Sequence, residues 1–358
     1  MRYFNLAALA LILLFERELF AQHRLSKDYP FLYEVVLACD VRYDAIQKMY
    51  YYDYALTNDR ANKGNIWIFE IDILRHHDSV KYDTLGLKFA NNFEKIQFER
   101  YYPPAADIVE SVGFPSLANK HWDVNIFHGS VASFGVDTLL PKPGSTVTGF
   151  AMMSKAPPGT RVFAAYPDFD VYKFYPDIEQ DTTAGVDSIY RYVDSIKEAV
   201  NYHGWTIGPT APPADFSATS WIDTLISYKH QCVSQGWLTD NKTCKRDCDD
   251  IMSQKDWRKN GDFEQYAKWN PDNSWNFDTD WNNGIVEVLD GRLNKAQAEL
   301  SKKDSVDARK DLEIFVIEVE MLSIVDKKIE AGNQNPIMTS EAYALLKYNT
   351  EYLIDRLP

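Results

Sequence analysis

The sequence predicts a β-then-α protein, with an antiparallel β-sandwich at residues 28–204 followed by a small antiparallel helical bundle at residues 217–358. Three observations predict this fold class. Short runs of β-branched and aromatic residues, broken by Gly and Pro, fill the first part. Apolar residues recur every three or four positions through the second. Between them, residues 205–216 are rich in Pro, which predicts a linker between two domains.

The N-terminus predicts an export signal, residues 1–21. Arg2 supplies a positive charge, residues 5–15 form an apolar core of suitable length, and Ala21 is a small residue at the expected cleavage point. The charged residues 16–18 lie close to that core, so an amphipathic first helix stays open as an alternative. No later run approaches the roughly 18 apolar residues of a membrane span, and we expect no transmembrane anchor in the mature chain.

The charge balance narrows the class of partner. The chain carries 38 basic and 52 acidic side chains, a net charge of −14. Because such a charge repels phosphate backbones and anionic lipids, we expect no nucleic acid and no anionic membrane as partner. Cations or neutral molecules such as glycans fit it better, and the many aromatic residues supply rings for a contact surface.

Short strands are predicted in the first part of the chain. Residues 50–56 and 66–73 are two β-type runs separated by a cluster of turn residues, which predicts a hairpin. Further strands bounded by Gly or Pro follow at 122–127, 145–153 and 161–166. Since no alternation of strands and helices around a Gly-rich phosphate loop is present, a sandwich is the natural architecture.

The strand at 66–73 has two unlike faces. Alternation places Trp67, Phe69 and Ile71 on one apolar face. Glu70 and Asp72 share the opposite face, which a solvated sheet surface explains. A strand that is buried on one side and wetted on the other belongs to an antiparallel sheet.

Four amphipathic helices are predicted after the linker. The first runs from a capping box at Ser220–Asp223 to Gly236. The others begin near Ile285, Asp304 and Thr339. Their apolar stripes predict an antiparallel bundle. The stripe positions of these three helices are Leu289, Leu293, Ala296 and Leu300, then Ala308, Leu312, Phe315, Val319 and Leu322, then Ala342, Leu345, Leu346, Asn349 and Leu353.

A long insertion, residues 239–283, separates the first two helices and is rich in Trp, Asp and Asn. Loops of this length in a compact domain are usually functional or disordered. Its tryptophans either stack on sugar rings or form a local hydrophobic cluster, and both interpretations stay open. The four are Trp257, Trp269, Trp275 and Trp281.

The end of the insertion partly matches a calcium-binding loop. Asp278, Asp280 and Asn282 occupy the first three alternating ligand positions. Asn283 stands where a Gly is expected, and Leu289 stands where a bidentate Glu is expected. Calcium is therefore the one cofactor that the sequence indicates, and turns that cap the following helix are the alternative.

The four cysteines are Cys39, Cys232, Cys244 and Cys248. An even count in an exported protein predicts disulfides. Cys244 and Cys248 are four residues apart, which a helix holds too far apart to bridge comfortably. We therefore expect Cys232 to pair with one of them, which would tie the first helix of the bundle to the insertion.

The C-terminal part also resembles a known domain family. The segments that carry the resemblance are Lys229–Gln231, Gly236–Leu238, Gly284–Asp290, Ala308–Glu320 and Ser340–Ile354. Their pattern resembles the FIMAH-type helical domain of bacterial extracellular proteins, from which the insertion departs. The resemblance implies a module that follows β-sandwich domains and has no assigned catalytic residues. The first part, at Tyr54–Asn58 and Gly64–Trp67, is similar to uncharacterised exported bacterial proteins.

The sequence therefore predicts an exported, non-catalytic binding or structural module of the cell surface or extracellular space, with the periplasm as an alternative location. Its expected partner is a glycan or an extracellular protein. The motifs of serine hydrolases, zinc proteases and phosphate-binding loops do not occur in the sequence. The alternative is an extracellular polysaccharide hydrolase with paired carboxylates, whose required separation of roughly 5–10 Å depends on the fold.

Overall fold

The computed structural model describes residues 29–72, 109–113, 122–127, 131–136, 140–170, 186–210, 212, 216–240, 284–329 and 337–358. Two antiparallel sheets are followed by a bundle of packed helices, which confirms the predicted fold class. The strands are β1 (Val35–Asp44), β2 (Met49–Asn58), β3 (Ile66–Asp72), β4 (Val109–Gly113), β5 (Trp122–Phe127), β6 (Val131–Val136), β7 (Ser145–Ser154), β8 (Pro158–Pro167) and β9 (Tyr202–Pro209). The helices are α1 (Val186–Val200), α2 (Ala218–Ser234), α3 (Ile285–Ser301), α4 (Ser305–Ile329) and α5 (Ser340–Ile354).

The two sheets pack face to face. One has the strand order β1-β2-β7-β4 and the other the order β5-β6-β3-β8-β9. Phe150 from the first sheet contacts Phe69 and Phe134 of the second edge-on, with ring centroids 4.8 and 5.6 Å apart. Such edge-to-face pairs stabilise a core beyond the area that they bury.

The hairpin predicted from residues 50–56 and 66–73 is wrong, although both strands exist. β2 pairs with β1 and β7, whereas β3 pairs with β6 and β8 in the other sheet. The hairpin is formed instead by β1 and β2, where Asp44 Oδ1 accepts the N–H groups of Ile46 and Gln47. The turn cluster after β2 therefore carries the chain from one sheet to the other.

Asn58 and Asn62 hold that crossing in place. Asn58 is fully buried and donates from Nδ2 to the carbonyls of Gly64 and Pro141, at 3.0 and 2.8 Å. Its Oδ1 accepts a hydrogen bond from Asn62 Nδ2 at 2.6 Å. Because a chain that leaves a sheet must satisfy its backbone groups elsewhere, these two side chains replace the missing ladder partners.

The predicted apolar face of β3 is correct at Phe69 and Ile71, which are fully buried, and wrong at Trp67, which is 44% exposed. The register against β8 shifts between Ile66 and Ile68, so a bulge turns Trp67 outward and Ile66 inward. Alternation in a sequence cannot reveal a bulge, because the extra residue belongs to the pairing of two strands.

The helices begin close to where the sequence predicts. α2 starts three residues early, at a capping box of Ser217 and Ser220, and Gly236 follows it with a φ of 71°. Thr339 caps α5, and the predicted stripe residues on α4 and α5 are fully buried. The four helices α2 to α5 contact one another in a ring, α2-α3-α4-α5-α2.

Ion pairs mark the contacts between neighbouring helices. Arg292 on α3 pairs with the buried Glu318 on α4 at 3.1 Å. Lys347 on α5 pairs with Glu320 on α4 at 2.5 Å. The buried Lys229 of α2 contacts Asp290 of α3. A buried ion pair contributes little net free energy to folding, because both charges must lose their water. We therefore infer that these pairs fix the register of the helices more than they stabilise the bundle.

The predicted linker at residues 205–216 is not wholly a linker. Residues 205–209 complete β9, which pairs along its length with β8. The apolar run before Pro209 outweighs the Gly-Pro signal, because Pro is tolerated at the end of an edge strand. Another element that the prediction lacks, α1, precedes β9, and its Ile196 and Val200 are buried against Tyr29.

The hydrophobic core continues from the sheets into the bundle. One cluster of buried residues includes Phe69 and Phe150 between the sheets and Leu289, Leu345 and Leu353 between the helices. α5 contacts β1, β8 and β9. The bundle therefore shares its core with the sheets, while the predicted domain boundaries stay a prediction.

The two ends of the insertion meet. The carboxylate Oδ1 of Asp240 accepts the N–H of Ile285 at 2.8 Å and so caps α3 from the far side of the insertion. Gly284 has a φ of 102°, and a Cβ there would lie 2.5 Å from the same oxygen. The chain thus leaves the bundle at Asp240 and re-enters it at Gly284, beside the same carboxylate.

We expect Asn58→Ala to lower the free energy of unfolding by at least about 2 kcal/mol, because it removes the buried hydrogen bonds of Asn58 to Gly64 O, Pro141 O and Asn62 Nδ2. Urea unfolding of the whole chain measures this. The adjacent Thr57→Ala removes an exposed hydrogen bond to Thr146 and should cost less than about 1 kcal/mol. Equal losses in the two variants would refute the role of Asn58.

Candidate binding cleft

The free edge of β1 is covered by side chains. Leu37 O accepts a hydrogen bond from Thr206 Oγ1 at 2.8 Å, and Val41 O accepts one from the Tyr348 hydroxyl at 3.1 Å. Between them, Cys39 N–H donates to Glu341 Oε1 at 2.8 Å. Alternate residues of an edge strand point their backbone groups away from the sheet, so β9 and α5 occupy positions that a further strand would take.

A cleft of about 700 Å³ opens beside this edge. Residues of β1 and β9 form one side, and the turn after α2 and the start of α5 form the other. Besides the buried Phe163, four aromatic rings line it: Tyr202, Trp205, Trp237 and Tyr343. All four are partly exposed, so their rings are neither fully used by the core nor fully in water.

A two-stranded contact positions the far side of the cleft. The turn after α2 and the segment before α5 form an isolated antiparallel bridge between Leu238 and Met338. Thr339 N–H donates to Trp237 O at 2.8 Å, and Thr239 N–H donates to Ile337 O at 2.9 Å. These bonds fix the backbone that carries Trp237, so the ring is held by main-chain geometry.

The polar side chains of the cleft include two carboxylates in different environments. Asp40 is exposed, whereas Glu341 is only 5% exposed. Glu341 accepts the Cys39 N–H through Oε1 and a long bond from the Ser340 hydroxyl, 3.5 Å, through Oε2. Gln235 and Ser323 add an amide and a hydroxyl. The cleft therefore offers both donors and acceptors beside its rings.

Burial and a nearby carboxylate change the pKa of Tyr202, one of the aromatic residues that line the cleft. The pKa of Tyr202 is raised, first by burial and then by the Glu34 carboxylate, while the Val35 N–H lowers it. Its phenol stays neutral at physiological pH and can both donate and accept a hydrogen bond.

Lys347 lies behind one of these rings. Its ammonium is 3.2 Å from the Tyr343 hydroxyl and 5.5 Å from the ring centroid. Burial alone would lower the pKa of Lys347, but the Glu351 and Glu320 carboxylates raise it overall. This lysine is therefore permanently charged and neutralised within the protein.

The predicted disulfide of Cys232 is not present, since Cys232 and Cys39 are both free and fully buried. Cys232 lies on the inner face of α2, where its side chain belongs to the core of the bundle. Burial, and then the Glu341 carboxylate, raise the pKa of both thiols. The proposed partners Cys244 and Cys248 lie outside the described residues.

Most other predicted site residues also lie outside the part of the chain that the structure describes. These are the tryptophans Trp257, Trp269, Trp275 and Trp281, the calcium ligands Asp278, Asp280 and Asn282, and the signal at residues 1–21. Both interpretations of each group stay predictions. Among the described residues, no three His, Cys, Asp or Glu side chains are grouped to hold a metal ion.

Of the two β3 carboxylates, one is not on a solvated surface. Asp72 is 8% exposed and lies 4.0 Å from the fully buried Arg161. Glu70 accepts a hydrogen bond from the Tyr166 hydroxyl at 2.9 Å. The structure therefore uses both in the sheet and does not bring them to the cleft.

The lining residues of the cleft were not singled out from the sequence. Apart from Phe163 and Ser323, they come from segments near 35–40, 202–205, 235–237 and 338–343, and each segment is ordinary strand or helix-end sequence. One available signal was Trp237, a large apolar residue placed directly after the helix-ending Gly236, where solvent is expected.

None of the described helices combines the length and apolar character needed to cross a membrane. Comparison with protein-family models, with curated proteins and with solved structures gives no match. The likeness to FIMAH-type domains therefore stays an expectation, and the function is argued from the cleft.

We expect iodoacetamide at pH 8 to leave Cys39 and Cys232 unmodified in the native protein and to label both in urea, because thiolates react and these thiols are buried and protonated. Peptide mass spectrometry resolves the positions. Rapid labelling of either residue in the native state would contradict the burial.

The same thiols predict a pH dependence of stability. The pKa of each thiol is higher in the folded protein than its unfolded value of about 8.5. The stability that this difference contributes is fully present below about pH 8.5 and is lost as the pH rises above that value toward the folded-state pKa. Each thiol then removes at most about 1.4 kcal/mol per pH unit. We expect the free energy of unfolding to fall between pH 8.5 and 9.5, with a shallower slope in Cys39→Ala; an unchanged slope would contradict this.

Proposed function

We propose that this protein is an exported, non-catalytic binding module and that the cleft between the β1 edge and the bundle is its ligand site. The observation that carries the proposal is the cleft itself, whose volume of about 700 Å³ lies within the usual range for ligand pockets. An open groove lined by partly exposed rings and a few polar groups is typical of ligand sites.

A glycan is the ligand class that this lining favours. Tyr202, Trp205, Trp237 and Tyr343 offer ring surfaces to the apolar faces of sugars. Gln235, with its exposed amide, can both donate to and accept from sugar hydroxyls. The net charge of −14 agrees with a neutral or cationic ligand.

A second candidate function is polysaccharide hydrolysis. The exposed Asp40 and the buried Glu341 line the same cleft, and unlike environments are what an acid–base pair requires. In that reaction a carboxylic acid would protonate the leaving oxygen, and a carboxylate would take a proton from the attacking water or attack the sugar itself. Glu341 already accepts the Cys39 N–H, so its carboxylate is used to hold the β1 edge. This structural use favours the binding module over the hydrolase.

The proposal predicts saturable binding of oligosaccharides without cleavage, measured by titration calorimetry together with an assay for released reducing ends. Trp205→Ala should weaken binding about tenfold, because it removes a ring from the cleft. The control is Trp67→Ala, an exposed tryptophan on β3 that does not line the cleft. Reducing ends that Asp40→Asn abolishes would establish the hydrolase instead.

A second variant separates the cleft from the insertion. Since Asp240 and Ile285 are joined by a hydrogen bond, a short Gly/Ser linker in place of residues 241–283 can span the gap, and circular dichroism checks that this variant stays folded. Retained binding supports the cleft, and lost binding in a folded variant assigns the ligand to the insertion tryptophans. Adding calcium to both forms, with melting temperature as readout, tests the loop of Asp278, Asp280 and Asn282.

Export predicts that the mature protein begins at Gln22. N-terminal sequencing of protein recovered from the native source tests this, and an intact Met1 on protein from the cell interior would contradict it.

A further inference from the structure

The charged residues of the cleft carry an inference that rests on the proposed function and narrows its ligand. We infer that the cleft takes a glycan with free, protonated amino groups, which pair with Glu341 and Asp40 while the sugar rings stack on the aromatic side chains.

The charges in the cleft have one sign. Asp40 and Glu341 are the charged side chains among its described lining residues. The Glu34 carboxylate lies close enough to Tyr202 to raise the pKa of its phenol. A concave site with charges of one sign concentrates ligands of the opposite charge. A neutral glycan gains nothing from these carboxylates beyond hydrogen bonds, whereas an ammonium group also gains the Coulomb attraction.

Of the two carboxylates, Glu341 is the one that is shielded from water. It is 95% buried and its contacts within the described chain are neutral donors, the Cys39 N–H and the Ser340 hydroxyl. It lies in the first turn of α5, whose N-terminus supplies roughly half a positive charge. A buried carboxylate is usually paired with a full cation, and elsewhere in this bundle Glu318 and Glu320 are paired in that way. An ammonium group in the cleft would complete the pairing.

The aromatic lining adds a second attraction. An ammonium within about 6 Å of a ring centroid is attracted by the ring face, most strongly when water is partly excluded. The protein already uses this combination at Lys347, whose ammonium lies 5.5 Å from the Tyr343 ring and 2.5 Å from Glu320 Oε1. The Tyr343 ring also lines the cleft, so an ammonium group bound there would meet both aromatic rings and carboxylates.

The neutral polar groups decide between a sugar and a peptide. Gln235 and Ser323 contribute an amide and a hydroxyl around the rings, beside the Thr339 hydroxyl that caps α5 and the Ser340 hydroxyl that donates to Glu341. Such groups suit the many hydroxyls of a sugar, each of which needs a donor or an acceptor. A lysine-rich peptide would use the carboxylates and would leave these groups to water. The lining therefore favours a glycan that carries amino groups.

The test compares three probes by titration calorimetry on the full chain: a glucosamine hexamer, its fully N-acetylated counterpart, and a hexalysine peptide. We expect the glucosamine hexamer to bind at least tenfold more tightly than the acetylated one, and its advantage to shrink as salt is raised. Equal or tighter binding of the acetylated hexamer would overturn the inference and leave the proposed function intact. Tighter binding of hexalysine would overturn the glycan, and no binding of either sugar would overturn both.

Substitutions identify the groups responsible. Glu341→Gln keeps an oxygen for the Cys39 N–H and removes the charge, so the advantage of the glucosamine hexamer should fall about tenfold while the acetylated hexamer is unaffected. Asp40→Asn, at an exposed position, gives a smaller loss of the same kind without risk to folding. The control is Asp307→Asn, which removes the same charge from an exposed site outside the cleft. Equal effects of all three would mean that net charge alone attracts the amine.

Discussion

A strand at the edge of a sheet presents unpaired N–H and C=O groups, and the edge of β1 meets this problem with side chains. Thr206, Glu341 and Tyr348 each bond to the backbone of an alternate residue, from Leu37 to Val41. A further strand would satisfy these groups more simply but would extend the sheet and invite aggregation. Here β9 and a helix cover the edge, so the helices are tied to the sandwich by hydrogen bonds as well as by packing.

The shared core follows from that cover. Once α5 lies on β1, its apolar face is continuous with residues between the sheets, and the buried cluster runs from Phe69 to Leu353. Buried side chains also form hydrogen bonds where the bundle meets the sheets. Asn349 donates to Pro158 O at 2.7 Å, and Trp221 Nε1 donates to Asn349 O at 3.0 Å. The sandwich and the bundle therefore form parts of one packed structure.

The cleft is what remains where the cover is incomplete. Side chains close the edge of β1, yet their spacing leaves a groove between β9 and the turn after α2. Glu341 serves both purposes, because one oxygen satisfies Cys39 while its charge faces a site with no described cation. Because Glu341 is needed to hold the β1 edge, we propose that it attracts a ligand to the groove and does not transfer protons. This is why we propose binding, and not catalysis, as the function.

The sequence by itself determined the β-then-α fold class, the positions of α2 to α5 and the buried faces of α4 and α5. Helical periodicity is a local property, so Leu312, Phe315 and Val319 could be recognised as core. Strand pairing, the bulge at Trp67 and the cleft were decided only by the tertiary structure. Each depends on residues far apart in the chain, such as Cys39 and Glu341, and no local pattern records which backbone group will meet which distant side chain.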